Sequence, residues 1–212
     1  MKKIAIIDIP MLPENKFNPF VYNVVGNSTI ESGVEVRFPI NSVFPKVLKK
    51  DDELKIILLG KKVDSGNTEN NIKLFKEEIE EINKTIEAHI EIVEIIEDYT
   101  EVKEIHQRTF NAVLDEVEKD AELYVDITYG PKSTPILIFA LISFMEKYYN
   151  TDLKNIIYGN TEFKDLGKGY PEATNPRIFE LTSLYFLNSI ISFMNEDFSI
   201  DEARKTLDNL LK

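Results

Sequence analysis

Six short runs of β-branched and aliphatic residues recur along the chain, and helical patterns separate most of them. Such alternation is the signature of βαβ units and a parallel sheet. Lys3 to Ile9 reads as a buried strand stopped by Pro10, and Leu54 to Leu59 as another ending at Gly60. Ile90 to Ile96, Leu123 to Ile127 and Ile156 to Tyr158 follow. Val34, Val36, Phe38 and Ile40 alternate with polar residues or proline, which predicts a strand with one solvated face near a sheet edge. Ile72, Phe75, Ile79, Ile82 and Ile86 repeat at three and four residues, as an amphipathic helix requires. Val102, Ile105, Val113 and Val117 mark a second. Thr134 to Tyr149 is apolar nearly all round, so this helix is expected inside the domain or against a second subunit. Phe163 to Arg177, rich in Gly, Pro, Asn and Lys, predicts a mobile loop. Phe179 to Met194 and Asp201 to Leu211 predict closing helices. The expected fold class is α/β: an open, mainly parallel sheet with helices on both faces and helices at the C-terminus.

The 212 residues suit one large domain or one domain with an appendage, and the 43% hydrophobic content supplies a core. No cysteine is present, which excludes disulfides, thiolate metal sites and cysteine nucleophiles. No run reaches the roughly 18 apolar residues of a membrane span. Asp8 interrupts the only signal-like stretch, Met1 to Ile7, so a cytoplasmic protein is expected. The net charge of −12 is confined to one region. Glu77 to Glu122 holds 16 acidic and 4 basic residues, while the other 166 residues carry 21 of each. The carboxylates of this region fall mostly between the apolar positions of amphipathic helices and read as solvated faces. A duplex-binding footprint is absent, so no duplex DNA partner is expected.

In an open α/β sheet, ligands bind beyond the carboxyl ends of the strands near a topological switch point. Three segments therefore matter: Asp8 to Phe20, Gly60 to Thr68, and Thr128 to Thr134. The third carries the most chemistry. Gly130 permits a tight turn or positive φ, and Pro135 suits the first turn of a helix. Ser133 or Thr134 would cap that helix, leaving backbone amides and the positive end of its dipole facing the loop. With Lys132 beside them, these groups suit an oxyanion or phosphate. The segment is not a P-loop, whose spacing is absent from the chain.

Asp126-Ile127-Thr128-Tyr129-Gly130-Pro131-Lys132-Ser133-Thr134-Pro135 resembles the Asp-Ile-Thr-His-Gly-x-Arg-Ser-x-Pro motif of the CRISPR-associated Rossmann-fold (CARF) proteins, the ligand-sensing domains of type III CRISPR effectors. Tyr129 and Lys132 replace the family's His and Arg. Further likeness follows in order along residues 1–195: the opening strand, Phe20-Val21-Tyr22, Phe38 to Ile40, Ile56 to Gly60, Ile156 to Gly159, and Leu181-Thr182. The resemblance implies a Rossmann-like fold and a homodimer that binds cyclic oligoadenylate, a ring of adenosines joined by 3′–5′ phosphates, across its two-fold axis. It implies no cofactor and no metal.

Carried over, Lys132 and the amides near Ser133 hold ring phosphates, and Thr128 lines the pocket floor. Tyr129, Gly130 and Thr134 complete that wall. Ile9 and Pro10 on the first loop, and Gly60 on the second, receive ribose and adenine. Residues 1–180 would be the sensing domain, and 181–212 a helical segment for packing, dimer contact or connection to an effector absent from this chain. Binding is expected to depend on Lys132 more than on any other lysine. If the domain is instead a ring nuclease, Lys132 and Ser133 are the catalytic candidates, stabilising charge and holding the ribose while its 2′-hydroxyl attacks the next phosphate.

Other readings are weaker. The Arg-x4–6-His motif common in effector ribonucleases is missing: His89 and His106 have no Arg at that spacing, and both read as structural or solvated. Glu162-Phe163-Lys164 with Asp126 resembles a metal-nuclease pattern, but at a loose spacing that arises by chance. A transcriptional regulator would need a basic reading helix, which Phe198 to Lys212 does not supply. A generic mononucleotide-binding enzyme is the alternative of another class.

Overall fold

The computed structural model describes residues 1–14, 17–165, 171–194 and 197–210. Its elements are β1 (Lys2–Asp8), β2 (Phe20–Val21), β3 (Asn23–Val25), β4 (Glu35–Val36), α1 (Pro39–Val47), β5 (Glu53–Lys62), α2 (Asn67–Ile86), β6 (His89–Asp98), α3 (Lys103–Glu116), β7 (Glu122–Asp126), α4 (Thr134–Tyr149), β8 (Asp152–Asp165), β9 (Pro171–Glu180), α5 (Thr182–Phe193) and α6 (Ile200–Leu210). Seven strands form one sheet in the order β3-β9-β8-β7-β1-β5-β6. β1 runs parallel to both β5 and β7, β5 to β6, and β7 to β8. β9 alone turns back antiparallel on β8, and β3 follows β9 at the edge. The expected α/β, Rossmann-like sheet is present.

Every residue of β1 from Lys3 to Asp8 is buried, as a central parallel strand covered on both faces requires. Alternation then sorts its side chains. Ala5 and Ile7 join Ile56, Leu58, Phe38, Phe44, Phe75 and Ile79 under α1 and α2. Ile4 and Ile6 join Ile57, Leu59, Val125, Ile138, Leu141 and Met145 under α3 and α4, with Tyr185 of α5. The sheet is thus the middle of three layers.

Three expectations are corrected. Val34 to Ile40 is not a strand through Ile40. Only Glu35–Val36 is paired as a strand, in a two-stranded ribbon with β2, and Pro39 opens α1. Ile40, Val43 and Phe44 sit at helical spacing and are buried. The start of α1 is held by remote carboxylates: Glu78 accepts the N–H groups of Arg37 at 2.8 Å and Phe38 at 3.2 Å.

Phe163 to Arg177 is largely a hairpin, not a loop. β8 continues to Asp165 and pairs with β9 from Pro171, with the expected turn falling at 166–170, outside the described residues. The register slips where Asn160 faces Arg177 but Glu162 faces Thr174. Asn175 has φ 51° there. This bulge accommodates Pro176, whose missing N–H would break a regular ladder. Phe179 and Glu180 consequently belong to β9, and α5 begins at Thr182.

Candidate ligand site at the switch point

From β1 the chain steps outward through β5 and β6, then returns across the sheet to β7 and β8. The crevice between the carboxyl ends of β1 and β7 is therefore the switch point. Each strand ends there in a buried carboxylate. Asp8 is 2% exposed and Asp126 1%. Because Ile7 pairs with Asp126, the two side chains leave the sheet on opposite faces.

Asp126 organises the face of α1. Its Oδ2 accepts the Ile40 N–H at 3.1 Å, and its Oδ1 the Thr128 N–H at 2.8 Å. The Thr128 hydroxyl also bonds this carboxylate and accepts the Gly159 N–H at 2.7 Å. Burial pushes the Asp126 carboxyl up to about 6, with Thr128 and the Ile40 amide drawing it down. Thr128 thus links β7 to β8 beneath the crevice.

Asp8 organises the opposite face. Its carboxyl bonds the Thr134 side chain, while Oδ1 is buried without a hydrogen-bond partner. Burial pushes the group up to about 7, against the pull of Thr134 and the charge of Lys61. The Thr128–Thr134 loop closes directly over it. Gly130 has φ +93°, and a Cβ there would lie 2.0 Å from Asp8 Oδ2. Only glycine satisfies both demands.

Within that loop the candidate residues separate. Tyr129 is half-buried, with its ring edge-on to Phe17 at 5.6 Å and its hydroxyl bonded to Tyr22. It anchors the loop to the core. Lys132 is exposed, and the Ser133 hydroxyl donates to Glu101. The first turn of α4 uses most of its own amides: Thr134 N–H bonds Pro131 O at 3.0 Å, and Ile136 and Leu137 bond Ser133 O at 3.1 Å. The N–H groups of Lys132 and Ser133 have no acceptor among the described residues. These two amides are available to an anion beside the Lys132 side chain.

The other two loops are held more tightly than their composition suggests. Ile9 points into the core and its N–H bonds Leu59 O at 2.8 Å. Pro10 is buried; Asn71 donates to Pro10 O at 2.7 Å and Leu12 O at 2.9 Å, and Asn67 to Met11 O at 3.1 Å. Gly60 lies inside β5, where a Cβ would meet Ile96 at 2.8 Å and Thr68 at 2.9 Å. Its close packing accounts for the glycine without a ligand.

Two basic residues absent from the sequence-based set line a small cleft over Asp8: Lys61 at the end of β5, and His106 of α3. Glu101 links His106 to the loop, bonding Ser133 and lying 3.8 Å from His106 Nε2. Only the register of β5 and the docking of α3 bring them there. A larger concavity opens at the opposite, amino-terminal edge of the sheet, around Lys3 and Lys55. Those lysines are already paired with Glu122, Asp52, Glu91, Glu116 and Glu118, so it offers no unbalanced charge. Glu162, of the loose nuclease pattern, is bonded by Arg177 and Asn175. His89 is exposed at the start of β6, near Asp51. No group of three acidic or histidine side chains suited to a metal occurs among the described residues. Nor is any described helix long and apolar enough to cross a membrane.

No protein-family model matches the chain. It is similar to a protein of Methanocaldococcus jannaschii named CRISPR-associated protein MJ1674, with 28% identity over 152 residues. That match covers 66% of this chain and 24% of the relative, so the chain spans about a quarter of the relative's length.

Proposed function

We propose that this chain is a CARF-type sensor that binds cyclic oligoadenylate as a homodimer in a type III CRISPR response. The observation that carries the reading is the pair of unbonded Lys132 and Ser133 amides beside the Lys132 side chain, at the end of the strand bordering the switch point. An anion is the ligand such a group of donors favours. The likeness to a CRISPR-associated protein supports the biological setting. A ring of phosphates has its own symmetry, so a two-fold pair of such sites suits it.

Apolar side chains support the dimer. On α4, Ile136 is 75% exposed, and on α5 Leu184 and Ile191 are 53% and 51% exposed. The two helices lie side by side, with the Phe139 and Tyr185 rings 5.6 Å apart. We assign residues 1–180 to sensing and the helical segment after them to packing, dimer contact or connection to an effector.

A ring-nuclease activity is the second reading. It is favoured by Ser133 standing beside Glu101 and His106, groups able to orient a ribose and move a proton. Incubation with cyclic tetra-adenylate separates the two: linear products establish the nuclease, and an intact ring leaves the sensor. A melting assay against rings of three, four and six adenosines, with ATP and NAD beside them, tests the sensor against a mononucleotide-binding enzyme. Stabilisation by ATP or NAD alone would contradict the sensor.

A further inference from the structure

We propose that the cleft over Asp8 is a phosphate subsite in which Lys61 supplies the charge and His106 a second donor. Resting on the sensor reading, it adds a contact to the ring that Lys132 does not make.

Among the described residues two lysines are buried, and they differ in their surroundings. Lys3, 5% exposed, is clasped by Glu122 and by Asp52. Lys61, 8% exposed, has no carboxylate within 4 Å among the described residues. Most of the Lys61 side chain is buried along the cleft while its ammonium lacks a carboxylate, and a cation held in place without a counter-charge suits an anion. The acidic groups nearest in effect are unsuited to that role. Asp8 acts on Lys61 from beyond ion-pair range and is itself held towards its neutral form by burial. Glu97 is engaged by two nitrogens of the Arg108 guanidinium, at 2.7 and 3.2 Å.

The cleft collects groups that suit an oxyanion. Asp8 Oδ1 faces no hydrogen-bond partner, and in the protonated carboxyl it is available to donate. His106 and Ser133 line the rim, and the unbonded Lys132 and Ser133 amides belong to the same loop. His106 faces Glu101, and Lys61 faces Asp8 and Glu97 at longer range. The cleft has room for about one water molecule, so it admits a phosphate oxygen and excludes a base. A nucleotide ring would therefore rest on the rim with one phosphate oxygen turned inwards.

The test compares Lys61→Gln, His106→Asn and Lys61→Arg with the unaltered chain, using cyclic tri-, tetra- and hexa-adenylate and, separately, inorganic pyrophosphate. Melting curves confirm folding. The subsite predicts that Lys61→Gln weakens ring binding at least tenfold, His106→Asn severalfold, and Lys61→Arg least. Ring binding undiminished in Lys61→Gln overturns the subsite and leaves the sensor reading standing. If no ring binds the unaltered chain, the sensor reading fails, and Lys61-dependent binding of pyrophosphate upholds the subsite alone. Absence of both, or pyrophosphate binding equal in Lys61→Gln, overturns it. Should Lys61→Gln not fold, His106→Asn decides, and unchanged affinity counts against the subsite.

Discussion

The Asp126 carboxylate at the end of β7 accepts the Ile40 N–H of α1 at 3.1 Å, across 86 positions of sequence. One side chain therefore joins the strand that feeds the ligand loop to the helix that closes the opposite face. Asp126→Ala leaves the Ile40 and Thr128 amides without their acceptor and should destabilise the fold by about 2–4 kcal/mol. Asp126→Asn keeps the shape and one acceptor oxygen, so it should lose less. Urea unfolding of the two variants measures the difference, and an Asp126→Ala loss under 1 kcal/mol would show that the bond carries little.

Gly130 and Asp8 make a second cross-link, through space rather than hydrogen bonding. Gly130→Ala adds strain at φ +93° and drives a methyl group towards Asp8. A loss above about 2 kcal/mol is expected. In the background of Asp8→Ala the same substitution should cost less, because the steric part is removed. A double-mutant cycle reads this coupling, and additive losses would place the strain elsewhere.

Asp8 and Asp126 make stability depend on pH in a defined direction. Both carboxyls are raised in the folded protein, to about 7 and about 6. The unfolded chain gives up these protons near pH 4. Stability from these groups is therefore full below about pH 4 and is lost as pH climbs through 6 and 7. Within that interval each group contributes up to about 1.4 kcal/mol per pH unit. Melting temperature should fall between pH 5 and pH 8, and Asp8→Asn should flatten the upper part of the fall. An unchanged profile in Asp8→Asn would mean that Asp8 ionises normally.

The exposed apolar side chains of α4 and α5 predict the oligomeric state. Ile136→Glu or Leu184→Glu should convert a dimer to a monomer in sedimentation while leaving the monomer folded, because neither side chain belongs to the core. A sedimentation profile identical to that of the unaltered chain would remove these faces from the interface.

The sheet was largely legible in the sequence because β1, β5 and β7 are buried on both faces and spell continuous apolar runs. The start of α4 was legible as well: Gly130 and Pro135 are local signals that act within one turn, whereas Ser133 stands at the cap position with its hydroxyl turned to Glu101 and not to the helix. Features held by distant partners were not. Val36, Phe38 and Ile40 alternate like a strand, and only Glu78 and Asp126 turn the last of them into a helix. Pro176 suggests a loop until the Asn175 bulge absorbs it. The site divides the same way. The motif pointed to Lys132, whereas Lys61 carries no local mark, being one of two consecutive lysines that β5 turns to opposite faces. The expectation that Lys132 outweighs every other lysine is thereby opened to a direct comparison with Lys61.

Calorimetric titration with cyclic oligoadenylates reads ring binding and its stoichiometry together. At least one ring should bind with a stoichiometry of one ring to two chains, and Lys132→Ala should weaken it by about 1.5–3 kcal/mol, the worth of a charged hydrogen bond. Heat from ATP or NAD but from no ring, or ring binding with one ring to each chain, would contradict the homodimeric sensor.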